Sequence, residues 1–191
     1  NHFYLIGLDG LAISFLSKDY EPIALFPVAL EHFVVGGDEV KQITQFSYQG
    51  SKTRKGKTSL KFVARNKYTT KKLLIHCDEN SPELSFEISE KYKKKVACKR
   101  SALLFKGIQP IKEVMRASRK SDINEFQNEY WLDKQGLVFG TDNNSLIIYH
   151  TPGISSLQFD TENNNLWVNL DFEMDHSFLH FPLMDDTVDY K

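Results

Sequence analysis

The stretch SLKFVARN, residues 59–66, decides the fold class. Its residues alternate in polarity, and in an extended strand this alternation separates two faces. One face carries Leu60, Phe62 and Ala64, and the other carries Lys61, Val63 and Arg65. A period of two is typical of a β-strand with one side in the core. The sequence therefore predicts a strand here and a β-rich protein around it.

Short apolar runs extend this pattern in both directions. FYLIG, LAISFL, PIALFPV and HFVV precede the stretch, and KKLLIHC, LSFEIS, KKVAC and ALLF follow it. Further along come YWLD, GLVFG, SLIIYH, SSLQF, LWVNLDF and FLHFPL. The segments between them are rich in Gly, Asp, Asn, Ser and Pro, which favour turns. The pattern predicts about a dozen short strands, predominantly antiparallel.

One segment, residues 110–127, departs from the strand pattern. Apolar residues recur there at helical spacing: Ile111, Val114, Met115 and Ala117. Pro110 suits the first turn of a helix, where a missing backbone N–H removes no hydrogen bond. The fold class predicted is thus α+β, mostly antiparallel β with one central helix near 110–127.

The helix suggests a division of the chain into two parts. Residues 1–105 form a β-rich half with a basic hairpin region. Residues 106–191 form the helix and a β-meander with an acidic C-terminal end. A chain of 191 residues can also bury a single large core, so one continuous domain is the alternative.

Charge is distributed unevenly along the chain. The net charge is −1, but residues 51–100 hold fifteen Lys or Arg and five acids, whereas residues 151–191 hold one Lys and eight acids. Such segregation bears on partners and solubility. Two arrangements stay open: the basic block faces the acidic end, or it presents its cations outward.

The basic block supplies a candidate surface for a polyanion, because Lys and Arg bind backbone phosphates. Tyr68 is included as a residue on which a base can stack. The predicted binding residues are Lys52, Arg54, Lys55, Lys57, Lys61, Arg65, Lys67, Tyr68, Lys71, Lys72, Lys93, Lys94 and Lys95. The expected partner is a nucleic acid or an acidic protein segment. The alternative is a solvated edge strand that its lysines protect from aggregation.

Apolar surface suggests a protein partner or a homo-oligomer. Fourteen Phe are many for a small β core. Phe178, Phe181, Leu183 and Met184, just before an acidic end, are the predicted partner-binding residues. The alternative is that FLHFPL is the closing strand of the sheet.

An enzymatic alternative rests on Glu39 and Lys41. The pattern Glu-x-Lys is reminiscent of Mg²⁺-dependent nucleases, in which a carboxylate pair holds the metal and the Lys steadies the attacking water. Asp9 or Asp19 would have to supply the second carboxylate. The chain carries no other catalytic signature, so no catalytic residue is assigned.

Metal ligands and cofactors are not predicted. His176 and His180 are four residues apart, but DFEMDHSFLHF alternates like a strand, which would separate the two rings by roughly 13 Å. The run containing His76 and Cys77 has no partner pair of ligands. We expect a buried cysteine there and no metal site.

Two cysteines and the absence of a signal-peptide pattern favour an intracellular location, in nucleus or cytoplasm. No apolar run approaches the roughly 20 residues that span a bilayer, so a membrane partner is not expected. The sequence predicts a non-catalytic binding or scaffold protein that engages an anionic macromolecule. A Glu-x-Lys nuclease and a purely structural subunit of a protein complex are the alternatives.

Overall fold

The structure is a computed structural model. It describes residues 2–17, 22–81, 83–93, 96–106, 113–116, 119–122, 137–140, 145–150, 154–160, 163, 165–170 and 176–182.

Strands account for most of the described chain. In chain order they are β1 (His2–Gly7), β2 (Ala12–Ser17), β3 (Ile23–Val35), β4 (Asp38–Gln45), β5 (Ser47–Arg54), β6 (Lys57–Arg65), β7 (Thr69–Asp78), β8 (Glu83–Tyr92), β9 (Ala97–Lys106), β10 (Glu113–Arg116), β11 (Arg119–Asp122), β12 (Leu137–Gly140), β13 (Ser145–His150), β14 (Ile154–Asp160), β15 (Asn165–Leu170) and β16 (His176–Pro182). The β-rich character predicted from the alternation is confirmed.

These strands form two antiparallel sheets. The first sheet has the order β1-β2-β3-β9-β15-β14, with β4 paired to the C-terminal part of the long strand β3. The second sheet has the order β11-β10-β12-β13-β16-β8-β7-β6-β5. The chain passes from the first sheet to the second between β4 and β5, where only the buried Phe46 separates the two strands.

The main core lies between the two sheets. Alternate side chains of β2, β3, β9 and β15 meet alternate side chains of β6, β7 and β8 in one apolar cluster. Phe86 of β8 stacks on Phe105 of β9 with 6.3 Å between ring centroids. Full burial of one such side chain stabilises the fold by about 1.5–3 kcal/mol. This core fixes which face of β6, β7 and β8 points away from the interior.

The central strands of the first sheet are apolar on their second face as well. Val28, Leu30, Ala102 and Leu104 form a separate buried cluster, and Trp167 of β15 packs against it. This explains why β3 and β9 contain runs of buried residues instead of strict alternation. The second sheet differs, because β7 and β8 alternate between buried and part-buried residues.

The helix predicted near 110–127 is wrong. Glu113–Arg116 and Arg119–Asp122 are strands that pair with each other, and β10 also pairs with β12. The rest of the predicted segment lies outside the described residues. A short apolar repeat is a weak helix signal because an isolated helix of this length is marginal. Pairing with Leu137–Gly140 supplies backbone hydrogen bonds that outweigh it. The described part of the chain contains no helix, and hence none that could cross a membrane.

The predicted division at residues 105 and 106 stays a prediction. Strands from both sides of that position share both sheets: β15 pairs with β9, and β16 pairs with β8.

Candidate polyanion-binding surface

The outward side of β5–β8 carries most of the predicted cations. Directly paired residues of antiparallel strands point to the same face. Phe62 pairs with Leu73, and both are buried in the core. Their chain neighbours Lys61 and Lys72 therefore lie on the opposite face, away from the first sheet.

The register brings seven cations from four strands onto this face. Residues an even number of positions from Lys61 along β6 lie on the same face, and so do the residues that pair with them on the next strand. Lys57 is one such residue, and it pairs with Arg54 of β5. We call the set the cationic face, and its members are Lys52, Arg54, Lys57, Lys61, Arg65, Lys72 and Lys91. All are exposed except Lys72, which is half-buried. Lys91 was not among the residues predicted to bind.

Carboxylates on the same face neutralise only part of this charge. Asp78 lies 3.2 Å from the Lys57 ammonium, measured between Oδ2 and Nζ. The Asn80 backbone N–H and the Lys57 ammonium lower the pKa of Asp78, so this carboxylate stays ionised. Within the described residues, the other six members of the cationic face have no carboxylate within salt-bridge distance. Among the described residues, the charge of these six cations is therefore not neutralised by an ion pair.

A tight hairpin holds the β5 end of the cationic face. Lys55 and Gly56 have φ values of 50° and 75°, the positive pair of a type I′ turn, whose twist matches that of the flanking strands. Glu79 donates its backbone N–H to the Gly56 carbonyl at 3.2 Å. A side chain at Gly56 would collide with the Glu79 carboxylate. The turn places Lys55, which is exposed, at the tip of the hairpin.

Tyr68 does not belong to the exposed surface. Its side chain is buried and its ring lies 5.2 Å from that of Phe33, between centroids. Lys67 Nζ lies over the Tyr68 ring at 5.5 Å, and Lys93 Nζ donates to the Asn66 carbonyl at 2.6 Å. These two exposed lysines sit at the end of the sheet opposite the hairpin. Base stacking on Tyr68, which the sequence suggested, is not available in this arrangement.

Lys71 lies on the inner face of β7 and is fully buried. Its ammonium lies 3.1 Å from Glu31 Oε1 and 2.9 Å from Glu90 Oε1, and donates to Ser101 Oγ at 2.8 Å. Asn66 Nδ2 donates to the second Glu31 oxygen at 3.0 Å. We call these five residues the Lys71 cluster. Lys71 is therefore removed from the set of candidate binding residues.

The Lys71 cluster links the two sheets. Glu31 and Ser101 belong to β3 and β9 of the first sheet, whereas Lys71 and Glu90 belong to the second. Burial raises the pKa of Glu31, because an ionised carboxylate loses its hydration there, and the Lys71 ammonium opposes the rise. The sequence contained a signal for this cluster, because Lys71 is in phase with the apolar residues Leu73 and Ile75.

For several predicted residues, the position or the side chain is outside the part of the chain that the structure describes. Lys94, Lys95, Leu183 and Met184 lie outside the described residues. Phe178 and Phe181 belong to β16, where their backbones pair with Glu87 and Leu84; their side chains lie outside the description. The acidic segments 171–175 and 183–191 also lie outside it. The arrangement in which the basic block faces the acidic end and the partner-binding residues before that end stay predictions.

Glu39 and Lys41 lie on β4, at an edge of the first sheet. Glu39 forms an ion pair with Lys99, and its second carboxylate oxygen lies 3.1 Å from His32 Nε2; the hydrogen bond and the charge of Lys99 lower the pKa of Glu39. Lys41 Nζ lies over the Trp167 ring at 5.2 Å. Asp9 lies in the connection between β1 and β2, and Asp19 is outside the described residues. Across the described part of the chain, no three His, Cys, Asp or Glu side chains are placed to hold a metal ion.

Sequence reasoning missed a polar line across the cationic face. Ser59 of β6 hydrogen-bonds to His76 Nδ1 of β7 at 2.9 Å, and His76 Nε2 lies 3.1 Å from Glu87 Oε2 of β8. All three residues are on the outward side. Ser59 lies two residues from the outward Lys61 and pairs with His76. Glu87 pairs with Leu74, which itself pairs with Lys61. No sequence signal gives this line, since it depends on the register of three strands.

A comparison of the chain with protein-family models gives no match, and a comparison with curated proteins gives no significant match.

Proposed function

We propose that this protein is a non-catalytic binding protein whose cationic face holds the phosphate backbone of a nucleic acid. The observation that carries the proposal is that six cations on one outward sheet face have no carboxylate partner among the described residues. Each phosphate that such a cation neutralises releases condensed counterions, which drives association.

The geometry suits a backbone better than bases. Neighbouring strands are about 4.8 Å apart, and alternate residues on one strand about 6.6 Å apart, so cations spread over four strands form a two-dimensional array. Five of the seven members are Lys, which acts as a point charge without the planar fork that Arg uses to read base edges. Burial of Tyr68 removes the predicted stacking contact. The proposed binding is therefore largely independent of base sequence.

Protection of an edge strand accounts for only some of these cations. Lys52 and Arg54 lie on β5, which ends the second sheet in the described pairing, and such positions are often charged to prevent aggregation. Lys61 and Lys72 lie on β6 and β7, which have a strand on each side. Cations at interior strands serve no such protective purpose, so their presence favours a ligand.

The test compares two variants with the same change in charge. One replaces Lys52, Lys61 and Arg65 on the cationic face by Gln. The control replaces Lys41, Lys99 and Lys106 of the first sheet by Gln. Binding to a fluorescein-labelled, mixed-sequence DNA duplex of about 20 base pairs is measured by anisotropy at fixed salt.

We expect the first variant to bind at least about tenfold more weakly than the wild type, and the control to change affinity by less than about threefold. Equal weakening of the two variants would show a response to net charge alone and would contradict the proposal. A poly-glutamate competitor that displaces the duplex at equal charge concentration would favour an acidic protein segment as the partner instead.

A further inference from the structure

The line Ser59–His76–Glu87 crosses the middle of the cationic face. A carboxylate only accepts hydrogen bonds, so the contact of 3.1 Å to Glu87 assigns the proton of neutral His76 to Nε2. Nδ1 is then an acceptor, and the Ser59 hydroxyl donates its proton to it across 2.9 Å. In this state the Ser59 O–H points along the sheet and is unavailable to an anion.

Protonation of His76 reverses the contact to Ser59. Both imidazole nitrogens become donors, so Nδ1–H donates to the Ser59 oxygen and the Ser59 O–H is released. The released hydroxyl can then donate outward. Histidine is the side chain whose charge ordinarily changes between about pH 5 and pH 8.

The neighbours of this line are suited to an anion. Ser59 pairs directly with Lys52 of β5, and Lys57 and Lys61 flank it on the same face of β6. A phosphate group at this point would meet three ammonium groups and, after protonation of His76, an outward hydroxyl. Among the described side chains, the other charged groups on this side near His76 are Asp78 on its own strand and Glu83 and Glu87 on β8.

We infer that binding of a phosphate group at Ser59 is coupled to the uptake of one proton by His76, with Glu87 fixing the orientation of the ring. This inference rests on the proposed function and adds a regulation to the same surface. A proton from solvent binds Nδ1, the imidazole becomes a cation, and the hydroxyl proton of Ser59 turns from Nδ1 to the phosphate oxygen. Linkage then requires tighter phosphate binding at lower pH.

The experiment measures duplex DNA binding at constant ionic strength at about pH 5.5 and about pH 7.5. We compare wild type, His76→Gln, Ser59→Ala and a matched control, His32→Gln. His32 is a suitable control because its Nε2 also lies 3.1 Å from a glutamate, Glu39, but on the first sheet. Other groups that titrate in this range contribute equally to all four proteins.

Wild type and His32→Gln should tighten on acidification about three- to tenfold more than His76→Gln, since a charge-assisted contact is gained only where His76 is present. Ser59→Ala should fall between them. Calorimetry in two buffers of different ionisation enthalpy should show that His76→Gln takes up fewer protons on binding than the wild type.

The two hypotheses fail differently. If the duplex binds with a steep salt dependence but His76→Gln and wild type show the same dependence on pH, the coupling is overturned and the binding surface stands. If Ser59→Ala tightens as much as the wild type, the role of the hydroxyl is overturned. If no protein binds the duplex at either pH, the proposed function fails and the coupling fails with it.

Discussion

Lys71 and Lys72 are neighbours on β7, yet the structure uses them in opposite ways. Lys71 points inward, is fully buried and meets two carboxylates and a serine hydroxyl. Lys72 points outward and, within the described residues, has no carboxylate partner. The difference teaches that strand parity, and not residue type, decides whether a lysine in this basic segment is buried between the sheets or faces away from the core.

The inner lysine acts between the sheets. Two of its partners, Glu31 and Ser101, come from the first sheet, so the Lys71 cluster joins the sheets at one end of the core. Removing one partner of a buried ion pair leaves an uncompensated charge, which is strongly destabilising. The outer lysine is half-buried and belongs to no buried ion pair of the described residues, so its replacement leaves no buried charge without a partner there.

The largest expected effect separates these two residues. Lys71→Met should lower the free energy of unfolding by about 3–5 kcal/mol, because Glu31 and Glu90 lose their cation. Lys72→Met, the matched control, should change it by less than about 0.5 kcal/mol. Urea denaturation followed by fluorescence measures both. Similar values for the two variants would show that the ion pairs of Lys71 do not hold the fold.

A smaller effect is expected for Glu31→Gln, because a carboxamide keeps one of the two acceptor oxygens. Burial raises the pKa of Glu31 above its ordinary value of 4.5, so the folded protein holds this proton to higher pH than the unfolded chain does. The stability that the protonated carboxyl contributes is present below 4.5 and is lost as pH rises through the folded pKa.

The wild type should therefore lose stability relative to Glu31→Gln as pH rises above about 4.5. The measurement is urea denaturation of both proteins at a series of pH values up to about 7.5. A stability difference that stays constant, or that grows in favour of the wild type with rising pH, would mean that burial does not raise the pKa of Glu31 in the folded protein.

On the outer side a tight hairpin joins β5 and β6, the two strands that carry five of the seven members of the cationic face. Gly56→Ala should destabilise the protein by about 1–2 kcal/mol, because at φ 75° the Cβ of an alanine lies too close to the carbonyl oxygen that follows it along the backbone. Gly7→Ala is the control, since a Cβ there would meet only ordinary contacts, the nearest at 3.5 Å. Thermal unfolding that shows equal shifts for the two variants would remove the role assigned to the turn.

The smallest effect is expected at the ion pair between Lys57 and Asp78 on the cationic face. Lys57→Gln removes the contact with Asp78, but the lysine side chain is 73% exposed and solvent screens the pair. We expect no measurable change in the urea midpoint. A clear loss of stability would show that the outer face contributes to the fold more than the contrast with Lys71 allows.

The sequence was sufficient for the strands that form the core, because the alternation of Leu60, Phe62 and Ala64 reports directly on which side is buried. At Lys55 and Gly56 the sequence predicted a Gly-containing loop but not the two-residue turn that the structure has there. It failed at residues 113–122, where pairing with a distant strand outweighed a local helical pattern.

The candidate site could be predicted in part. Clustering of the basic residues was visible in the sequence, and parity alone assigns Lys71 to the core and Lys72 to the surface. What the sequence lacks is the register between strands. Register places Lys52 beside Ser59 and Ser59 beside His76, although 17 residues separate the last two. No local pattern encodes that juxtaposition.

The most direct test of the cationic face is the salt dependence of duplex binding. The logarithm of the association constant falls with the logarithm of salt concentration by about 0.9 for each phosphate contacted. Replacing Lys52, Lys61 and Arg65 by Gln should make this slope less steep by about 2.7, whereas the Lys41, Lys99 and Lys106 control should keep the wild-type slope. An unchanged slope in the first variant would show that these side chains do not contact phosphates.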